Sequence, residues 1–548
     1  GGFVAAESVW RSKATGGDIP TAFSSLPYEG ADAYKLSEFF GSARQSRLTL
    51  LAEGKMPWGT VKGYYEADFL GTGISSNNNQ SNSYVLRQRV LYAQAETNSH
   101  WSFTGGQLWS LAAEQKKGIT ANPGDVASPQ TIDPNYVPGF VWTRQYGFRV
   151  VKNAKNYAFG ISVENPQMLY SPTLAGNTPY AVIGSAGANG GNYNAGLSGY
   201  TATTYVQNYI SESGTPSYLP VYNTVTVASN AANLTFNYAP DVLVKVTADQ
   251  PWGHFEAFGV GRFAHETVYL DATTDRIKYG GQTDIAGFNG GKMGGAVVAK
   301  ADSKNAISNT IALGGVGGSG RILLMNKKLS LGAKGLWGTG MGRYGNTTLP
   351  DLTNNDWGGF SPLHSVSGLA TVEVNPTPRL VIWANYGGDY VGRNDWSRAT
   401  DTTLGSPTAT FCPTTAASAA DCVTKPTPLQ LAAGGTWGGH WSIPKQAAVG
   451  YGSRFLSTAS CASTATPPYN SGGSTGYLPG GSCGAQTRNV QEVTGGYWYD
   501  LYKGDRGRLR QGIQYGYAVR EGWSSSDTTL GLKGVDNMFW TSFRYYLP

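Results

Sequence analysis

From residue 60 the chain reads TVKGYYEADF, and the alternation is strict. Val61, Gly63, Tyr65, Ala67 and Phe69 fall on one face, Lys62, Tyr64, Glu66 and Asp68 on the other. A period of two is the strand period. The same pattern recurs from end to end. Leu48, Leu50 and Ala52 oppose Gln45, Arg47 and Thr49; Tyr157, Phe159, Ile161 and Val163 oppose Asn156, Ser162 and Glu164. Val242, Val244 and Val246 oppose Lys245 and Thr247; Leu329, Leu331, Ala333 and Trp337 oppose Ser330 and Lys334. Near the end, Leu509, Gln511, Ile513, Tyr515, Tyr517 and Val519 oppose Arg508, Arg510, Gln514 and Arg520. Each run is about ten residues, enough to cross an apolar band of ~25 Å when tilted.

The connections are as informative as the strands. Short ones (EGKMPWG, TNS, KNAKN, DQPWG, MNKK, NPTP, IPKQ, KGDRG) alternate with long polar stretches at 11–38, 71–83, 112–138, 165–235, 267–306, 344–360, 392–428, 457–487 and 522–530. A sandwich or propeller has no reason to put every long loop at one end, whereas an outer-membrane barrel does. The predicted fold is therefore all-β, a single transmembrane antiparallel β-barrel over residues 1–548. It has 16–18 strands, long extracellular loops and short periplasmic turns. The two uncertain strands are the N-terminal GGFVAAESVW and the poorly alternating LAAGGTWGGHWSI. Both termini fall on the short-turn side. The apolar face would meet lipid and the charged face a water-filled lumen. Trp58, Trp101, Trp109, Trp252, Tyr497, Trp498, Tyr545 and Tyr546 at segment ends are expected as interfacial girdles.

Composition agrees with this picture. Only 14% of the 548 residues are charged and mean hydropathy is −0.28, with 75 Gly, 33 Tyr and 15 Trp in place of charge. No run approaches a membrane-spanning helix. The net charge of +6 is spread along the chain, not clustered as a nucleic-acid surface requires, so no nucleic-acid partner is expected. The four cysteines sit in polar loop segments without metal-ligand spacing, which suits two loop disulfides. Of the three connectivities, pairing between sequence neighbours, Cys412 with Cys422 and Cys461 with Cys483, is the preferred one.

Several stretches, in order, resemble the DcaP-like family of bacterial outer-membrane porins: SARQSRLTL (42–50), TVKGYYEADFLG (60–71), LRQRVLYAQAE (86–96), GGQLWS (105–110), YAFGISVENP (157–166) and GTGMGRY (338–344). The similarity runs roughly from residue 40 to 400. It implies a trimeric channel of about 16 strands passing small, often anionic solutes. The chain departs from the family in opening without a periplasmic coiled-coil segment and in ending FRYYLP.

Enzymatic motifs find no context. GGSTG (472–476) matches a nucleophile elbow but lies in a Gly/Ser loop with no helix after it. GVGGSG (315–320) matches a dinucleotide fingerprint without a βαβ unit. The five histidines show no zinc spacing, and Glu66 with Asp68 reads as wall lining rather than an acid/base pair. No catalytic residue, metal or cofactor is expected. The expected pore-lining set is Arg47, Lys62, Glu66, Asp68, Arg87, Arg89, Arg149, Glu256, Arg262, Lys334, Arg510 and Arg520. Arg87 and Arg89 lie in a segment, YVLRQRVLYAQAE, that alternates poorly. The cations would form a ladder that concentrates anions, with Glu66, Asp68 and Glu256 standing opposite to give a transverse field. Part of 165–235 is expected to fold inward or cap the pore, a subunit-contact or surface role being equally open.

The expected function is an outer-membrane porin for small hydrophilic, preferentially anionic solutes, a homotrimer surrounded by outer-membrane lipid and lipopolysaccharide in a Gram-negative-type bacterium. The alternative is a secreted or surface-anchored all-β carbohydrate-binding or adhesin protein.

Overall fold

The computed structural model describes all residues except 30, 72–83, 172–200, 211–215, 227–238, 269–276, 279–281, 284–306, 355–359, 400–408, 412–422, 426–445, 454–484 and 525–531. The alternating segments become the wall of a closed antiparallel barrel. Its strands are β1 (Gly2–Arg11), β2 in two pieces (Glu38–Ser42 and Arg47–Met56), β3 (Gly59–Asp68), β4 (Arg87–Thr97), β5 (Trp101–Trp109), β6 (Arg144–Asn153), β7 (Tyr157–Glu164) and β8 (Asp241–Gln250). They continue as β9 (Gly253–Val268), β10 (Ile307–Leu324), β11 (Leu329–Thr339), β12 (His364–Thr377), β13 (Leu380–Val391), β14 (Thr487–Gly504), β15 (Gly507–Gly522) and β16 (Lys533–Tyr546).

Each strand pairs with its sequence neighbour, and β16 returns to β1 in a register running from Phe3↔Tyr546 to Arg11↔Met538. The 17 ladder segments make sixteen staves, because both pieces of β2 pair along the same edge of β1. In the gap between them, Ser46 Oγ accepts the Ala5 N–H at 2.9 Å, so the broken stave loses no donor there. Closure leaves no open edge, the condition for a sheet to stand in hydrocarbon.

The wall is built inside out relative to a soluble protein. Along β8 the apolar Val242, Val244 and Val246 are 37%, 43% and 51% exposed, while Lys245 between them is 1% exposed. Tyr157, Phe159, Ile161 and Val163 on β7 are exposed in the same way, with Ser162 and Glu164 buried. Trp58, Trp101 and Trp252 lie exposed at the short-turn ends, where an amphipathic ring fits the headgroup level. Two of the expected girdle residues do not: Trp109 and Trp498 are buried inside the barrel. Trp498 shares the inward parity of Asp500 and lies under the Arg544 and Arg510 guanidinium groups, at 4.7 and 5.1 Å from the ring centre.

An arginine at Val244, halfway along β8 on the outer face, is expected to lower folded stability by about 2–4 kcal/mol. Urea titration in lipid vesicles measures it, and a change within error would contradict a lipid-facing position.

The N-terminal segment is a wall strand. LAAGGTWGGHWSI and the first three residues of IPKQ lie outside the described residues, and Gln446–Tyr451, which follows, pairs with Asn394–Ala399 in a two-stranded sheet apart from the wall. The two long stretches 392–428 and 457–487 therefore belong to one connection between β13 and β14. Both expected disulfides, Cys412–Cys422 and Cys461–Cys483, fall outside the described residues.

The barrel interior holds protein. The connection 110–143, between β5 and β6, runs inward across the bore. It touches β9 through Gln115, β11 through Ala127, β13 through Gln130 and β15 through Ile132. Its apolar side chains explain the path: Leu111, Ile119, Ile132, Val137, Phe140 and Val141 are all buried. Ile132 joins Ile19, Phe23 and Leu26 from the first connection against Trp383, Trp498, Met538 and Trp540 of the wall. Among the described residues this segment takes the inward role expected of 165–235. Of the latter, Gln167 and Met168 are buried, Thr201–Ile210 pairs with Pro216–Thr226, and the greater part is not described.

Candidate functional site

The strands bring the expected charged residues to the inner face, and the inward connections give most of them partners. On β3, Glu66 and Asp68 sit beside cations rather than across the bore from them. Arg89 Nε donates to Glu66 Oε1 at 2.7 Å, Arg87 donates to both Asp68 oxygens at 2.8 and 2.7 Å, and Arg47 lies 3.5 Å from Glu66. The poor alternation around Arg87 and Arg89 has a structural cause. The ladder between β3 and β4 slips between Glu66 and Ala67, so that Arg89 is an extra residue in β4. A bulge of this kind reverses parity: Arg87, before it, reaches the inward Asp68, Arg89 at the bulge is buried, and Val90 and Tyr92 are buried after it.

Further round the wall the pairing continues. Glu256 accepts from Lys245 at 2.7 Å, His254 at 2.9 Å and the Gln115 N–H at 2.9 Å. Arg262 joins Asp241 at 3.0 Å and Asp351 at 3.2 Å. Lys334 pairs with Glu114 at 2.6 Å and Arg510 with Asp500 at 2.9 Å. Arg149 donates to the Thr120 carbonyl at 3.2 Å, and Arg520 to the Leu26 carbonyl at 2.8 Å and Thr487 Oγ1 at 2.9 Å. Lys62 pairs with Glu96 at 3.3 Å beside a cleft of about 230 Å3, which lies between Tyr64, Tyr92 and Gln94 of the wall and Ile119–Asn122 of the inward connection. The set thus divides by task. Arg149, Glu256, Arg262, Lys334 and Arg520 anchor connections to the wall, Arg510 pairs within the wall, and Arg47, Lys62, Glu66, Asp68, Arg87 and Arg89 gather around β2–β4.

One member of that gathering is new. Arg144 opens β6 with its guanidinium 5.4 Å from the ring centres of both Trp109 and Trp142. Tyr136 and Phe140 complete an aromatic group, at 6.3 and 6.4 Å from Trp109. Arg144 Nε and Nη1, Arg47 Nε, Trp109 Nε1 and Trp142 Nε1 are buried and make no hydrogen bond among the described residues, and every one of these groups is a donor. Buried donors normally find acceptors. Four guanidinium groups (Arg47, Arg87, Arg89, Arg144) therefore face two carboxylates (Glu66, Asp68), leaving an excess of positive charge and of hydrogen-bond donors. The sequence signal for Arg144 was the run WTR beside a strand start, which alternation alone cannot place.

No protein-family model matches the sequence, and no curated relative matches it. Solved structures do. The outer membrane channel DcaP of Acinetobacter baumannii superposes with a TM-score of 0.52 at 12% identity, over 99% of this chain and 95% of that one. The fold is that of an outer-membrane channel. An anion-selective porin from Comamonas acidovorans aligns with a TM-score of 0.38 at 9% identity, over 99% and 97% of the two chains. The trimer form of Vibrio cholerae OmpT aligns with 0.37 at 8% identity, over 100% and 98%. The likeness to the first of these in fold has its physical counterpart in the inside-out wall, apolar side chains outward and charged ones inward.

Proposed function

We propose that the chain is a single-domain porin of a Gram-negative-type outer membrane, passing small hydrophilic solutes with a preference for anions. The observation that carries the preference is the group of unpaired donors around Arg144. In a narrow bore walled by low-dielectric protein, fixed guanidinium groups raise the local concentration of anions. Arginine suits the task because it stays charged and offers a planar fork to carboxylate or phosphate. The carboxylates Glu66 and Asp68 hold Arg87 and Arg89 in place without cancelling the whole charge. The expected assembly is a homotrimer in outer-membrane lipid, which the family resemblance supports.

Reversal potential in a salt gradient across a planar bilayer tests this reading. The expected sign is anion-selective, and Arg144→Gln should reduce the anion-to-cation permeability ratio several-fold while leaving heat-modifiable gel mobility unchanged. A cation-selective wild type would overturn the preference, and a folded barrel without conductance would overturn the channel itself.

A further inference from the structure

The middle of the inward connection, 130–135, is docked on the wall by a small number of contacts. Asn385 Nδ2 donates to the Gln130 carbonyl at 3.0 Å, and Arg544 Nη2 to the Ile132 carbonyl at 3.3 Å. The Ile132 and Asp133 N–H groups both donate to Gln514 Oε1, the latter at 3.2 Å, and Asn135 Nδ2 donates to the Thr21 carbonyl at 2.8 Å.

Beneath this segment β14 presents Glu492, which is 1% exposed and whose two carboxylate oxygens make no hydrogen bond among the described residues. The space around it is closed. A Cβ placed on Gly516 would lie 2.6 Å from Glu492 Oε1 and 3.1 Å from the Trp540 ring. Asp133, a second buried carboxylate, sits on the same patch of wall: its N–H donates to Gln514, two residues from Gly516 on β15, and its neighbour Ile132 packs against Trp540 and Val490. Asp133 Oδ1 accepts from the Thr21 and Asn135 N–H groups at 3.3 and 2.8 Å, while Oδ2 has no partner among the described residues.

The other charged groups on the surrounding elements are engaged elsewhere. Arg11 of β1 lies near enough to act on Asp133, but its guanidinium is spent on Glu38 at 3.0 Å and on the Asp18 and Ile19 carbonyls. Asp536 of β16 accepts from Ser12 and the Lys13 N–H, and Arg544 is paired with Glu7 of β1. No ion pair reaches Glu492 or Asp133 among the described residues.

Two ionised carboxylates in one dry space repel each other and lack the water that would stabilise them. The segment and the wall each contribute one of the two, so undocking is the motion that separates and hydrates them. We propose that Glu492 and Asp133 form a proton-operated latch: protonated, the pair lets segment 130–135 dock on β13–β16; ionised, it releases the segment. If the channel reading above holds, on which this consequence rests, conductance rises with pH.

The sign follows from Asp133. Burial pushes its carboxyl up to about 6 from an ordinary 3.8. The docked form therefore binds the proton more tightly than the released form. Docking is strongest below the ordinary value, weakens as pH rises between the two values, and is weakest above about 6.

Amide hydrogen exchange over 130–135, corrected for intrinsic rate, reads docking without any need for conductance. Between about pH 4.5 and about pH 7.5 the wild-type protection factor should fall about tenfold or more, one pKa unit being a factor of ten. Asp133→Asn, which keeps shape and removes the group whose burial sets the sign, should flatten most of that dependence and hold protection high at pH 7.5. Glu492→Gln, which removes the repelling partner, should raise protection at pH 7.5 and make the slope shallower than wild type. A flat wild-type profile, or variants that keep the wild-type slope, overturns the latch. Conductance in the same samples tests the channel reading separately: a conducting barrel with a flat exchange profile sinks the latch alone.

Discussion

Replacing Arg262 with methionine is expected to lower the stability of the folded barrel by about 3–5 kcal/mol, the cost of stranding buried charges. Arg262 is fully buried and stands between two carboxylates, Asp241 of the wall at 3.0 Å and Asp351 of the connection 340–363 at 3.2 Å. It also donates to the carbonyls of Gly340 and Gln167 and lies 5.3 Å from the Tyr344 ring centre. One guanidinium thus fastens two connections to β9, and methionine would fill the volume while leaving both acids without a counter-charge.

Urea unfolding in detergent or lipid measures the loss. The triple variant Arg262→Met, Asp241→Asn, Asp351→Asn should recover most of it, because removing the whole network is far less costly than removing one partner. The defect should also depend on pH. Burial pushes the Asp351 carboxyl up from its ordinary value and Arg262 pulls it back. Without the arginine the acid is raised further, so the penalty is full above that raised value and shrinks as pH falls through it. A loss below about 1 kcal/mol at neutral pH, or one that grows on acidification, would show that Arg262 is not the fastener described.

How much of this was legible beforehand follows from which partners are near in sequence. The wall was legible because lipid outside and charge inside make parity unambiguous: Val242, Val244 and Val246 against Lys245 needs no knowledge of the rest of the chain. Hairpin neighbours were legible for the same reason, since short turns fix which strand pairs with which. Strand number was legible only to within two, because GGFVAAESVW, which is a wall strand, and the poorly alternating LAAGGTWGGHWSI could not be told apart from loop by pattern alone. The slip at Arg89 was visible as poor alternation, but a bulge and a non-strand read alike without the partner strand.

Trp498 was misplaced by its residue type although its parity with Asp500 pointed inward, so position outweighed propensity there. The charge pairs were out of reach altogether. Glu7 meets Arg544, and Arg262 meets Asp351, through closure of the barrel and the inward path of connections. The one usable sign of that path was the scatter of Leu111, Ile119, Ile132, Val137 and Phe140 through a long loop, since apolar residues without a strand period still have to be buried.

Gly139→Val is expected to raise single-channel conductance. Gly139 adopts φ +82°, in the left-handed region that costs an L-residue about 1–2 kcal/mol and a β-branched one more. The space is as restrictive as the dihedral. A Cβ at Gly139 would lie 1.9 Å from the Gly368 carbonyl oxygen and 2.8 Å from the Gly388 nitrogen, both backbone atoms of the wall.

The wall is bare there for a matching reason. Gly368 of β12 is paired with Gly388 of β13, and a Cβ on Gly387 would come 2.1 Å from the Pro138 carbonyl oxygen. Pro138 and Gly139 thus lie flat on a glycine patch two strands wide. Backbone on both sides leaves no side chain to yield, so valine forces the inward connection off the wall. The strand ladders do not include residue 139, and the barrel should still close, with unchanged heat-modifiable mobility. Single-channel recordings should then show a larger and noisier conductance than wild type. Should Gly139→Val close its barrel and conduct as wild type does, the connection 110–143 is not what narrows the bore.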